Sequence, residues 1–171
     1  AFAQNFFTLY LAAKQANGGA DLSENDMANI SNQALISLSS SIQSAPNFKS
    51  VKDIKVSGSG ADAMKVFAAQ AEEVLHANAR SAEKSEIVYL QDAVQHNDAS
   101  AIASIAEISK GYRKTAAGLS ALTVPTELVT DHLQLINAMM RVSEIANDFT
   151  RVNDDPLAAI LALQQYPQAV Q

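Results

Sequence analysis

Between Leu128 and Phe149, apolar residues recur at alternating four- and three-residue steps. Leu128, Leu135, Val142 and Phe149 form one set, and His132, Met139 and Ala146 the other. This spacing keeps a single face of an α-helix continuous and matches the seam of a helical bundle. A strand, whose side chains alternate every second residue, cannot bury such a set. The surrounding chain has the same bias, with 31 alanines against 6 glycines and 4 prolines in 171 residues. Alanine is the best helix former, so few turns and much helix follow. With 48% hydrophobic and 18% charged residues, the chain belongs among folded globular proteins rather than disordered tails or membrane spans. The expected fold class is all-α, an up-and-down bundle of five to six helices with one short extended strap.

The rest of the chain divides at its breakers. Phe2, Phe6, Leu9, Tyr10, Ala13 and Ala16 share helical spacing up to Asn17-Gly18-Gly19, which ends a first helix. Ser23 and Asp26 form a capping box with Asp in place of Glu. Met27, Ile30, Ala34, Leu38 and Ile42 then carry a second helix toward Ala45-Pro46. From Asn47 to Gly60 the period changes. Ile54 and Val56 flank Lys55, and Ser57-Gly58-Ser59-Gly60 closes the segment like a hinge. Lacking a visible partner strand, it reads as a strap anchored by Phe48, Val51, Ile54 and Val56. Asp62 opens the third helix, with a break expected near Ser81 before Ile87, Leu90 and Val94 resume out of phase. Asn97-Asp98 caps the next helix, in which Gly111 and Gly118 suggest close approach of a neighbour. Pro125 suits the first turn of the seam helix, and Asp155-Pro156 starts a last short helix that halts at Tyr166-Pro167. The expected organisation is a single helical domain over 1–171: a hairpin at 2–45, a strap at 46–60 and a bundle at 61–166.

Charge and composition exclude several chemistries. A net charge of −6 repels a phosphate backbone unless basic residues segregate strongly. Lys49, Lys52 and Lys55 surround Asp53, and Lys110, Arg113 and Lys114 share a helix face, so both groups read as solvated surface and no nucleic-acid partner is expected. The absence of cysteine removes thiol catalysis, disulfides and thiolate metal sites. No Gly-x-Ser-x-Gly elbow or P-loop ending appears. Glu73 and His76 have the three-residue spacing of a di-iron half-motif, which makes them the metal candidates, but a second such pair is missing. Asp148, Asp154 and Asp155 invite a calcium reading that Pro156 opposes. His132 on the apolar seam is the cofactor candidate, set against a buried histidine bonded to a carbonyl. No catalytic residue and no cofactor is expected.

The apolar run from Phe6 to Ala13 is too short to span a bilayer, so any signal peptide or anchor is expected upstream of Ala1. Several stretches together resemble a known family: Phe6-Phe7-Thr8-Leu9-Tyr10, Val51 to Val56, Leu122-Thr123-Val124-Pro125, Asp131 to Asn137, and Asp155-Pro156-Leu157 through Gln164-Gln165-Tyr166. It is an uncharacterised family of helical proteins predicted outside the cytoplasm in small-genome, candidate-lineage bacteria, usually behind an N-terminal membrane segment. The resemblance implies an extracytoplasmic domain, cell-surface or membrane-anchored through a segment upstream of Ala1. It also makes His132 and Asn137 packing and capping positions. The expected function is a non-enzymatic interaction or structural subunit with protein partners or self-association. The alternative is a small-molecule or cofactor-binding bundle, using the gap from Asn78 to Ser85 and the imidazole of His132.

Overall fold

A computed structural model describes residues 2–42, 48–78 and 83–170. Among them stand seven α-helices and one two-stranded pairing, an all-α helical bundle. Internal contacts divide the chain into two compact units, Ala1–Pro46 and Asn47–Gln171. No described helix is long and apolar enough to cross a membrane.

The first unit is a hairpin of α1 (Phe2–Ala16) and α2 (Glu24–Ile42). Its turn uses Gly18 and Gly19 at positive φ, and the Gly19 amide reaches back 2.8 Å to the Lys14 carbonyl. The expected capping box forms: the Asp26 amide donates to Ser23 Oγ at 3.2 Å, and the Ser23 amide donates to the Asp26 carboxylate at 3.0 Å. The reciprocal bonds satisfy amides that the helix start otherwise leaves orphaned. Among its described residues, Ile30 and Ala34 are buried. The expected end of this helix at Ala45-Pro46 lies outside the described residues.

In the second unit the strap is not solitary. Lys55–Val56 (β1) pairs in parallel with Thr123–Val124 (β2), Lys55 opposite Thr123 and Val56 opposite Val124. This corrects the expectation of a strap without a partner. Thr123 and Val124 are β-branched, and Val124 precedes Pro125, whose ring pushes the preceding residue into extended conformation. Two bonds extend the pairing: Ser57 N–H donates to the Val124 carbonyl at 3.0 Å, and Thr126 N–H to that of Gly58 at 3.1 Å. Gly58 and Gly60 both hold positive φ, which side-chain-bearing residues rarely adopt, so this hinge is a shaped turn. Of the four expected anchors, Ile54 packs into the core while Val51 is 56% exposed and Val56 39%. The short 3₁₀ turn at Val51–Asp53 and the extended pairing at Lys55–Val56 direct these valines outward.

Helix α3 spans Gly60–Asn78, α4 Glu86–His96 and α5 Ala99–Ser120. The break expected near Ser81 lies outside the described residues, and α3 and α4 flank it. Asn97, at φ 51°, ends α4 in left-handed conformation, and the next residue, Asp98, caps α5 by accepting from Ser100 N–H at 2.8 Å. Pro125 precedes a 3₁₀ turn (Thr126–Leu128) instead of opening the seam helix, which is α6, Val129–Phe149. The seam itself shifts: Ile136, not Leu135, is buried, and Leu135 is 43% exposed. A 3.6-residue helix drifts against a strict seven-residue repeat, so neighbouring positions take turns facing inward. Helix α7 runs Pro156–Ala169 and passes through Tyr166-Pro167, where a stop was expected. A proline so near the end forfeits little of the hydrogen-bond ladder.

Two cores result. Leu90, Ile105, Ile145, Ala146, Phe149 and Ala162 join α4, α5, α6 and α7. Ala116, Leu119 and Ile136 join α5 to α6, with Ile54 of the strap and Val74 of α3 against them. Helices α5 and α6 approach closely because small residues meet between them. Ser109 Oγ donates to the Ser143 carbonyl at 2.7 Å, and Ser143 Oγ returns the bond to Ser109 at 2.9 Å. Gly118 does the same for α3 and α5: a Cβ there would stand 2.7 Å from Val74 Cγ1.

Candidate ligand cavity

Where the apolar stripe of α3 gives out, the bundle leaves space. A cavity of about 580 Å³ lies between α3, α4, α5 and α6. Its apolar wall is Leu75, Ile108 and Met139; its polar wall includes Asn78, Tyr112 and Thr115; Glu83, Lys84, Ser85 and Glu86 line it where α4 begins. Gly111 also lines it, with nothing within 4 Å of where its Cβ would be. The glycine expected to admit a neighbouring helix therefore fronts open space. Small-molecule sites have typical volumes of about 300–1,000 Å³ with few polar groups in a mostly apolar lining.

Glu86 is the unusual member. It is the first residue of α4, 5% exposed, and its Oε2 accepts from the Tyr166 hydroxyl of α7 at 3.2 Å. Oε1 is buried and accepts no hydrogen bond. Burial and then the negative charge of Glu86 push the Tyr112 hydroxyl well above the ordinary phenol range, and the same two causes raise Tyr166. Both phenols thus remain protonated donors at any physiological pH. Among the described lining residues the cation is already committed: Lys84 Nζ sits 2.8 Å from Asp92, a bond that raises the lysine's pKa.

The residues singled out from sequence fall elsewhere. Glu73 and His76 are exposed on α3, and His76 faces Glu72 at 3.6 Å rather than Glu73. No three His, Asp or Glu side chains gather to hold a metal among the described residues. Asp148 and Asp155 both face Arg151, at 3.5 and 2.7 Å. His132 is 4% exposed and lies outside the cavity lining. Its Nε2 stands 3.1 Å from the Leu119 carbonyl, and its ring meets Phe67 edge-on at 5.2 Å. A carbonyl only accepts, so Nε2 carries the proton. Burial lowers the His132 pKa, against the opposing pull of that hydrogen bond. Asn137 bonds the strap, its amide taking both backbone groups of Lys49.

The gap from Asn78 to Ser85 coincides with the cavity at Asn78, Glu83, Lys84 and Ser85. Glu86, Tyr112 and Tyr166 were invisible as a group, because 80 residues separate Glu86 from Tyr166 and no short motif links them. A glutamate at the threshold of an apolar stripe, Glu86-Ile87, was the available signal. Comparison with known protein families, with curated proteins and with solved structures found no match.

Proposed function

We propose that this protein is a non-enzymatic helical bundle that binds a small, largely apolar molecule in the cavity between α3, α4, α5 and α6. The observation that supports it is the cavity itself, about 580 Å³ walled by Leu75, Ile108 and Met139. A concave space of that size, with a mostly apolar wall and few polar groups, is the usual form of a small-molecule site. Native mass spectrometry of protein from its source, paired with thermal-shift screening of apolar compounds, tests the reading. A bound mass or stabilising compound is expected, and Gly111→Leu should abolish it while the helical circular-dichroism signal persists. Ligand binding unaffected by Gly111→Leu, or no ligand at all, would overturn it.

A second reading, an interaction or structural subunit located outside the cytoplasm, has its own support. Phe7 and Leu11 on α1 are 62% and 60% exposed, and Ile36 on α2 is 65% exposed. Phe7 and Leu11, four residues apart on one helix, share a face, and adjacent exposed apolar side chains mark contact sites. The resemblance described above is what favours an extracytoplasmic address. Light scattering across a concentration series tests self-association, which Phe7→Ser with Leu11→Ser should abolish.

A further inference from the structure

A carboxylate removed from water costs several kcal/mol unless it is paired or protonated, so native proteins do not bury one idly. Glu86 is 95% removed from solvent, and one oxygen has no donor. The Tyr166 hydroxyl bonds the carboxyl and the Tyr112 hydroxyl stands beside it, but neither brings charge. Among the described lining residues, the lysine neutralises Asp92, and Glu83 and Glu86 are left without a cation. The site therefore offers negative potential and a hydrogen-bond acceptor beside a hydrocarbon wall.

We propose that the cavity takes a small organic amine, its protonated nitrogen on Glu86 and its hydrocarbon part against Leu75, Ile108 and Met139. The assignment rests on the cavity being a ligand site and adds the chemical class of the ligand. An ammonium group satisfies what the described lining lacks, a free donor with positive charge, whereas a carboxylate would meet two like charges. A neutral alcohol supplies the donor without the charge. Gly111, with open space where a side chain would stand, leaves room for an aromatic or branched alkyl body.

Isothermal titration calorimetry of the full chain with phenethylamine, 2-phenylethanol and phenylacetate tests this. The amine should bind at least tenfold more tightly than the alcohol, and phenylacetate should bind least. Glu86→Gln should reduce amine affinity at least tenfold, leave alcohol affinity unchanged, and melt no lower than the parent. Gly111→Leu should block all three. Gly111-dependent binding of the alcohol as tight as the amine, or an amine preference surviving in Glu86→Gln, overturns the amine assignment alone. Failure of all three probes to bind overturns the assignment and the cavity reading together.

Discussion

The side-chain amide of Asn137 holds both backbone polar groups of Lys49, 88 residues away: Lys49 N–H donates to Oδ1 at 2.8 Å, and Nδ2 donates to the Lys49 carbonyl at 3.0 Å. Asparagine here imitates a neighbouring strand, offering one acceptor and one donor at backbone spacing. The strap is thereby fixed to α6 at one point and to β2 at another.

Asn137→Ala should destabilise the protein by about 1–3 kcal/mol, since it removes two bonds and strands polar groups that had partners. Asn137→Asp keeps the acceptor but sets a carboxylate against the Lys49 carbonyl, so it should recover only part of the loss. Urea unfolding of the three proteins measures the order. Equal stability of Asn137→Ala and the parent would show that water replaces both bonds.

Two glycines of the same helix should respond oppositely to alanine. Gly111→Ala meets nothing and gains about 1 kcal/mol of helix propensity. Gly118→Ala drives a methyl to 2.7 Å from Val74 Cγ1, and the overpacking should cost about 1–3 kcal/mol. Val74→Ala in the Gly118→Ala background should relieve that clash, giving a positive coupling in a double-mutant cycle.

His132 makes stability depend on pH in one direction. Burial lowers its pKa in the folded state below the ordinary 6.5, so the unfolded chain binds the proton more readily. The contribution is complete above about pH 6.5 and is lost as pH falls toward the depressed folded value. Unfolding free energies at pH 7.5 and 5.5 should differ more in the parent than in His132→Gln, whose amide can still donate to Leu119. An identical pH dependence in both would assign the effect to other groups.

Ser109 and Ser143 should tolerate loss of their hydroxyls better than gain of volume. Ser109→Ala removes one bond, at about 1 kcal/mol. Ser109→Val adds a branch between α5 and α6 where the partner carbonyl stands 2.7 Å from the present oxygen, and should cost more. Thermal melts compare the two directly.

Much of the fold was legible because its signals are local. Ser23 with Asp26, Asp98 and Asp155 each cap the helix they announce, and Gly118 marks a true close approach. What escaped depends on distant partners. Thr123-Val124 is too short to read as a strand until Lys55-Val56 lies beside it, and Leu135 yields its inward place to Ile136 only once α5 is packed. The site was legible in half: fading apolarity after Leu75 locates the space, but not the glutamate beyond it. For His132 the alternative set against a cofactor role, a buried histidine bonded to a carbonyl, is the one the structure shows.

The bonds between Gly58 and Thr126 tie off a loop of 68 residues that contains all of α3, α4 and α5. Every described residue bordering the cavity, save Met139, belongs to that loop. The pairing at its neck is a drawstring: slackening it raises the entropy available to every wall at once. Damage near Val124 should accordingly loosen the packing around Glu86, far along the chain from the lesion.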